Sequence, residues 1–396
     1  MMSLTTSSMR AGRRTLFGFV GCSKRASSPG RGWRSCMRAI RLRRRIVRKW
    51  IKASSRSDRR RDGICHHHSF ASRLVCVKSC PDMSLEKITL GTRGSELALT
   101  QTNMVTAELQ TAFPHLRIER QIIQTSGDKR QDLRFSEFSD VAQVDKGIFI
   151  KELEIALENG QIDAAVHSLK DVPSDLAAGF TIAAVLPRAA IEDVLVTAQP
   201  YTLETLPKGA RVGTSSVRRA AQLKFLRPDV QIVEIRGNVP TRVKKVLGDQ
   251  PLDAVMLAAA GLLRLGLLNA NLSRIHIDTH TLYGLVLDPV TFLPAAGQGA
   301  IAIECRAGDA ASIQAIRSLN HAETESRVTA EREFLKILGA GCQTPVGAHT
   351  WIKDGRLHMA VRVFNEADLS AQPVEREAHR PVHEAKQLAA DLAGML

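Results

Sequence analysis

From Leu85 onward the chain repeats one unit: a short apolar run breaks off at a basic or hydroxyl-bearing turn, and an amphipathic helix pattern follows. Alternation of strand and helix periods builds an α/β fold. Ligands of such folds gather at the carboxyl ends of the strands. Lys87–Thr92 reads as the first strand and stops at Arg93-Gly94-Ser95. Ser95 can cap a helix carrying Leu97, Gln101, Val105 and Leu109, with Pro114 beyond its end. Arg93 and Ser95 thus fall at a strand-to-helix turn, where backbone donors favour anions.

Leu116–Gln124 reads as a second strand, and Phe149, Ile150, Leu153, Ala156 and Leu157 recur at helical spacing before Gly160. Between them, residues 125–146 are polar and lack a clear period, as expected of a loop or lid. Asp163–Pro173 runs from an apolar strand into His167, Ser168, Lys170 and Asp171. A Lys-Asp pair at a strand end is a site candidate, with a solvated ion pair as the alternative. Thr181–Leu186 is a further strand, and Pro187-Arg188 begins a crossover.

Asp193–Thr197 opens a second set of strands, which reaches Val212–Arg219. There Gly213 permits a tight turn, and Thr214, Ser215 and Ser216 can cap the next helix. Arg218 and Arg219 enter its first turns, where cations oppose the helix dipole; an anion held beside them would reverse that penalty. Two solvated arginines on an exposed face are the alternative. Val230–Ile235 ends at Arg236-Gly237-Asn238-Val239-Pro240-Thr241-Arg242, with Asn238 as a cap and Pro240 in the first helical turn. Asp253–Leu257 then leads into Ala258–Gly261, with Arg264 exposed soon after. Arg93, Lys170, Arg218, Arg219, Arg236, Arg242 and Arg264 all lie near strand ends, as a cleft for carboxylates or phosphates requires. Leu293–Ala300 returns the chain through Ile301–Glu304 to the first domain. A helix from Glu323 to Leu338 precedes the glycine loop of Cys342, and strands follow around Met359–Val363.

Composition removes several function classes. The net charge of +15 is confined to a leader: residues 1–84 hold 21 Lys and Arg against 3 acids, and the rest holds 34 against 37. Nucleic-acid binding therefore has no support in the body. No run approaches the roughly 18 apolar residues that a spanning helix needs. The leader is Arg-rich without an apolar period, and three readings fit it: an organelle presequence, misassigned translation upstream of a start at Met83, or a basic nucleic-acid arm. Its dense Arg clusters favour the second. Cys22, Cys36, Cys65, Cys76 and Cys80 lie there, leaving only Cys305 and Cys342 in the body, so the cysteines form no disulfide framework. Cys65 with His66, His67 and His68 lacks regular metal-ligand spacing, and no metal site is expected.

A lone loop cysteine is a buried filler, a catalytic thiolate or an attachment point, and flanking glycines favour access to its sulfur. Thr92–Ser95, Ala165–Pro173, Val212–Arg219, Arg236–Arg242, Leu293–Arg306 and Gly341–Pro345, in that order, closely resemble the porphobilinogen deaminase (hydroxymethylbilane synthase) family. The similarity runs from about Leu85 to the C-terminus. It implies an α/β chain of two doubly wound domains like type II periplasmic-binding proteins, 85–186 plus 299–317 and 192–293, and a smaller α+β domain, 320–396, carrying the cofactor cysteine.

The resemblance also implies a dipyrromethane cofactor joined by a thioether to Cys342, and a reaction that condenses four porphobilinogens head to tail into hydroxymethylbilane with loss of ammonia. Each pyrrole bears an acetate and a propionate, which accounts for the arginines. By similarity Lys170, Thr214, Ser215, Ser216, Arg218, Arg219, Arg236 and Arg242 hold cofactor and growing-chain carboxylates, and Arg93, Ser95, Phe149 and Arg264 serve substrate. Phe149 as a plain helix core contact is the alternative. The resemblance makes Asp171 the catalytic residue, a fixed carboxylate that stabilises the cationic azafulvene-like electrophile left by loss of ammonia and can help move protons. The implied partners are porphobilinogen and the growing polypyrrole, with a monomer and neither nucleic acid nor membrane. A start at Met83 implies the cytoplasm, and a presequence a plastid or mitochondrion. A non-catalytic two-lobed anion-binding protein is the main competitor, and a thiol hydrolase using His321 a distant one. Pro240 and Glu96 depart from the family pattern, as does the stretch 134–143.

Overall fold

The computed structural model describes residues 85–125, 150–269, 271, 273–341, 344–368 and 371–396. The leader 1–84, nearly all of the 125–146 segment, Phe149 and Cys342 lie outside the described residues.

The first strands and helices follow the local signals closely. β1 (Lys87–Thr92) ends at the Ser95 cap of α1 (Glu96–Ala112), where Ser95 Oγ accepts from the Ala98 amide. β2 (Arg117–Ile122), α2 (Lys151–Glu158) and β3 (Ala164–Ser168) come next. A 3₁₀ turn, Leu169–Asp171, follows β3 directly and precedes β4 (Phe180–Val185). After the crossover come β5 (Asp193–Thr197), β6 (Arg211–Gly213), α3 (Val217–Leu226), β7 (Gln231–Val233), α4 (Val239–Val243), β8 (Ala254–Ala258) and α5 (Ala259–Arg264). A hairpin of β9 (Arg274–Ile277) and β10 (His280–Val286) closes this part. It turns on Asp278-Thr279, with Asp278 in the left-handed region that tight hairpins demand.

The chain then returns as β11 (Ile301–Arg306) and α6 (Ala310–Arg317), and continues into α7 (Ala322–Ile337), β12 (Val346–Lys353), β13 (Arg356–Val363), β14 (Val374–Pro381) and α8 (Ala385–Ala393). Three sheets result, with orders β2-β1-β3-β11-β4, β7-β6-β8-β5-β10-β9 and β12-β13-β14. In the first, β1, β2 and β3 are parallel, and β11 inserts antiparallel beside β3. In the second, β6, β7 and β8 are parallel, and β5 inserts antiparallel beside β8. The first sheet thus reads second, first, third, inserted, fourth; the second reads second, first, third, inserted and then the β10–β9 hairpin, and each receives its inserted strand from a crossover. This is a doubly wound arrangement of parallel strands interrupted by one antiparallel insertion in each sheet.

Each sheet has its own core. Ile88, Leu90, Val105, Leu109 and Ile303 fill the first, Val194, Val255, Leu257 and Leu262 lie in the second, and Phe334, Leu388 and Leu392 pack on Leu357 and Met359 of the third. Among the described residues no helix is long and apolar enough to cross a membrane.

The consequence for function lies in the strand polarity. The turns after β1, β3, β6, β7 and β8 are all carboxyl-end turns of parallel strands, and they carry Arg93, Lys170, Thr214, Arg236 and the helix leading to Arg264.

Candidate active site

Lys170 and Asp171 occupy the 3₁₀ turn that ends β3, Lys170 half-buried and Asp171 exposed. Across from them, Ser216 caps α3 by accepting from the Arg219 amide, so Arg218 and Arg219 enter the first turn as the sequence suggests. They are not solvated: Arg218 is 4% and Arg219 6% exposed. The anion between them is Asp193, the first residue of β5. Arg218 Nη1 donates to Asp193 Oδ2 at 2.8 Å, and Arg219 Nε and Nη2 donate to Asp193 Oδ1 at 2.9 and 2.7 Å. Arg218 Nη1 also donates to the Leu293 carbonyl at 2.6 Å and Arg219 Nη1 to the Met256 carbonyl at 3.0 Å, while Arg218 Nε is buried without a hydrogen-bond partner. Burial by itself would push the Asp193 carboxyl up, but the two guanidinium groups outweigh it and hold it well below the usual carboxylate range.

The other candidates differ in how they are held. Arg242 Nε donates to Gly237 O at 2.8 Å, and burial, aided by repulsion from Arg219, pushes its guanidinium down to about 10. Arg264, expected to be exposed, is instead half-buried and pushed down to about 10 by burial. Its Nη2 donates to Gly299 O at 2.9 Å, while its Nε is buried without a hydrogen-bond partner. Arg236 pairs with Glu234 at 3.3 Å. Lys170 is pushed down to about 8, first by burial and then by Arg219, against the pull of Asp171 and Asp193. Thr214 Oγ1 accepts from the Ser216 amide, and Ser215 Oγ donates to the Ile235 carbonyl, so both hydroxyls also shape the loop.

A cavity of about 90 Å³ lies where the first two sheets meet, and Lys170, Arg219, Arg242 and Arg264 all line it. Ser168 and Leu97 reach it from the first sheet's side, and Gly261 approaches Leu97 from α5. Arg93, Ser95, Arg218 and Arg236 do not line this cavity. A larger one, about 170 Å³, lies between β4 and α7 and contains none of the candidate residues. Among the described residues no cluster of His, Cys, Asp and Glu could hold a metal ion. His321, considered as a base, caps α7 instead, accepting from the Thr324 amide.

Sequence reasoning does not single out two neighbours of the site as residues. Asp193 looks like an ordinary strand start, and Gln298, fully buried, sits in a Gly/Pro segment. Arg188 was likewise legible only as a crossover residue, yet it makes a two-pronged pair with buried Glu331 at 2.7 and 2.9 Å.

Comparison with known proteins decides which family has this cleft. Residues 88–314 match the family described as porphobilinogen deaminase, dipyromethane cofactor binding domain, and residues 326–396 match its C-terminal domain. The chain belongs to the porphobilinogen deaminase family. The porphobilinogen deaminase of Shouchella clausii is 46% identical over 276 residues, covering 69% of this chain and 83% of that protein. The porphobilinogen deaminase of Desulforamulus reducens is 40% identical over 311 residues, covering 78% and 94%. Among solved structures, the methionine-binding protein MetQ resembles 68% of this chain and 99% of its own, at 14% identity and a TM-score of 0.37. As a porphobilinogen deaminase, the chain is an enzyme of tetrapyrrole biosynthesis, a transferase that builds a polypyrrole from porphobilinogen on a dipyrromethane cofactor. The cleft fits such a group: four cations converge on one cavity, and a buried Arg264 Nε is left for an acceptor.

Proposed function

We propose that the cavity ringed by Lys170, Arg219, Arg242 and Arg264 receives pyrrole carboxylates, and that Asp171 beside it handles the positive charge of the reaction. The supporting observation is that convergence, with Asp171 close enough to act electrostatically on both Lys170 and Arg242. Arg218, Arg236, Thr214, Ser215 and Ser216 complete the carboxylate-binding side, and Arg93, Ser95 and Phe149 serve the incoming porphobilinogen. The cofactor, joined through Cys342, supplies the pyrrole carbon to which successive units are added until four have been joined.

This division follows from charge. Arginines bind carboxylates two-pronged and stay protonated at any working pH, so they hold each added ring by its side chains. Loss of ammonia generates a cation at the reacting pyrrole, and arginines repel it. A fixed carboxylate at Asp171 stabilises that charge and accepts a hydrogen bond from the pyrrole N–H. Segments 85–186 with 299–317, 192–293 and 320–396 are proposed to act as three domains with the reaction between the first two, in a monomer that uses neither nucleic acid nor membrane.

Intact-mass measurement on the purified protein tests the reading. The expected result is a covalent addition of two pyrrole units that is absent from Cys342→Ser. An unmodified yet active protein would overturn it. For location, a start at Met83 places the protein in the cytoplasm, whereas residues 1–84 acting as a presequence direct it to a plastid or mitochondrion. N-terminal sequencing of protein from its native host separates the two.

A further inference from the structure

Gln298 lies on the return crossover, fully buried, between the turn that carries Lys170 and the Asp193–arginine cluster. A buried amide is stable only when its donors and acceptor are matched. Here each is: Oε1 accepts from Lys170 Nζ at 3.3 Å, and Nε2 donates to Ile191 O at 2.7 Å and to Asp193 Oδ1 at 3.1 Å. The orientation is forced, because an ammonium group only donates and a carboxylate or carbonyl only accepts.

The backbone around it is built for close approach. Gly297 and Gly299 both have positive φ, 71° and 85°. A Cβ at 297 would stand 3.2 Å from the Lys170 amide nitrogen, and one at 299 would stand 2.7 and 2.8 Å from the carbonyl oxygens of Ala189 and Ala190. Gln298 O also accepts from Arg188 Nε at 2.9 Å. Both crossovers and the Lys170 turn therefore meet on this one residue.

We propose that Gln298 is a positioning residue that ties the Lys170 ammonium group, on the first sheet, to the Asp193–Arg218–Arg219 cluster of the second. Its amide bonds both, and its length sets how far Lys170 stands from Arg219. Lys170 then answers to every charge around it: Asp171 on its own turn, Asp193, Arg218 and Arg219 across the crossover, and Arg242 and Arg264 on the cavity wall. The Gln298 oxygen accepts best from the protonated ammonium group, so this contact favours the charged form against the push of burial and Arg219 and keeps Lys170 set to receive a carboxylate. The consequence for turnover rests on the carboxylate-binding role given above to Lys170, but the tie itself does not.

Competitive acetylation of Lys170 across pH 6–11, located by peptide mass, reads its titration directly in the holoenzyme. Gln298→Glu places a carboxylate on Nζ, and Gln298→Met removes the acceptor. The expected result is an upward displacement of at least one pH unit in the first and a downward one in the second, with KM for porphobilinogen raised at least fivefold in both. Lys170 titrating as in the wild type in both variants would overturn the proposal, whatever happened to activity. If either variant fails to fold by circular dichroism, Gln298→Asn, which keeps the amide but cannot span both partners, decides by the same displacement. The mass test on Cys342→Ser judges the carboxylate reading separately.

Discussion

Asp193→Asn is the most informative single perturbation of this cleft. The substitution keeps the shape and removes the charge that three groups share, since Arg218, Arg219 and Gln298 all donate to that carboxylate. Both arginines are almost completely buried, so they would be left as charges without a counterion inside the protein. Removing one partner of a buried pair costs about 3–5 kcal/mol, and two stranded guanidinium groups place this case at the upper end. Domains of 150–250 residues lose roughly 2–4 °C per kcal/mol, so a fall in Tm of about 10 °C or more is expected at pH 7. The pH dependence is a second signature. The carboxyl is held well below its ordinary value by the arginines, so its contribution is complete above pH about 4 and is lost as pH falls toward the folded-state value. Urea denaturation of wild type and variant at pH 7 and pH 3.5 measures this: the gap between them should narrow at the lower pH. A gap under about 1 kcal/mol at pH 7, or one that stays constant between the two, would refute the assignment of Asp193 as the counterion.

Asp171→Asn should leave cofactor loading intact by mass while turnover falls about 100- to 1000-fold, the range seen when one preorganised electrostatic group is removed; near-normal turnover removes Asp171 from the chemistry. Lys170 loses its proton as pH rises through about 8 in the free protein, so binding of a pyrrole polycarboxylate should take up protons at pH 8 and weaken above it, as calorimetry in two buffers would show. The sign for stability is opposite: between about 8 and the ordinary lysine value the unfolded chain binds more protons, so this residue alone makes the fold more stable as pH rises. In Lys170→Met both effects should vanish.

Much of the cleft was legible because its signals are local. Ser95, Ser216 and Asn238 cap their helices as their positions predict, since a cap involves residues three apart and little else. The hairpin β9–β10 left less trace, since β9 has only four residues and β10 opens on His280-Thr281 and is interrupted by Gly284. Arg264 was expected in solvent and lies half-buried beside Gly299, because the residue that covers it is 35 positions away. The Arg218-Arg219 pair, unfavourable at a helix N-terminus, suggested a bound anion, and the structure places the Asp193 carboxylate between them. Nothing in its neighbourhood identified that anion as a residue 25 positions earlier, on a strand inserted by the crossover.

The sequence by itself determined the α/β alternation, the placing of cations at strand ends and the family, because strand period, helix caps and ordered motifs are properties of contiguous residues. Only the tertiary structure decided how those charges are spent. Asp193 neutralises two arginines, and Gln298 joins Lys170 to them across 128 positions of chain. Counterions and buried partners depend on which strand lies beside which, and the crossovers that set this leave no periodic mark.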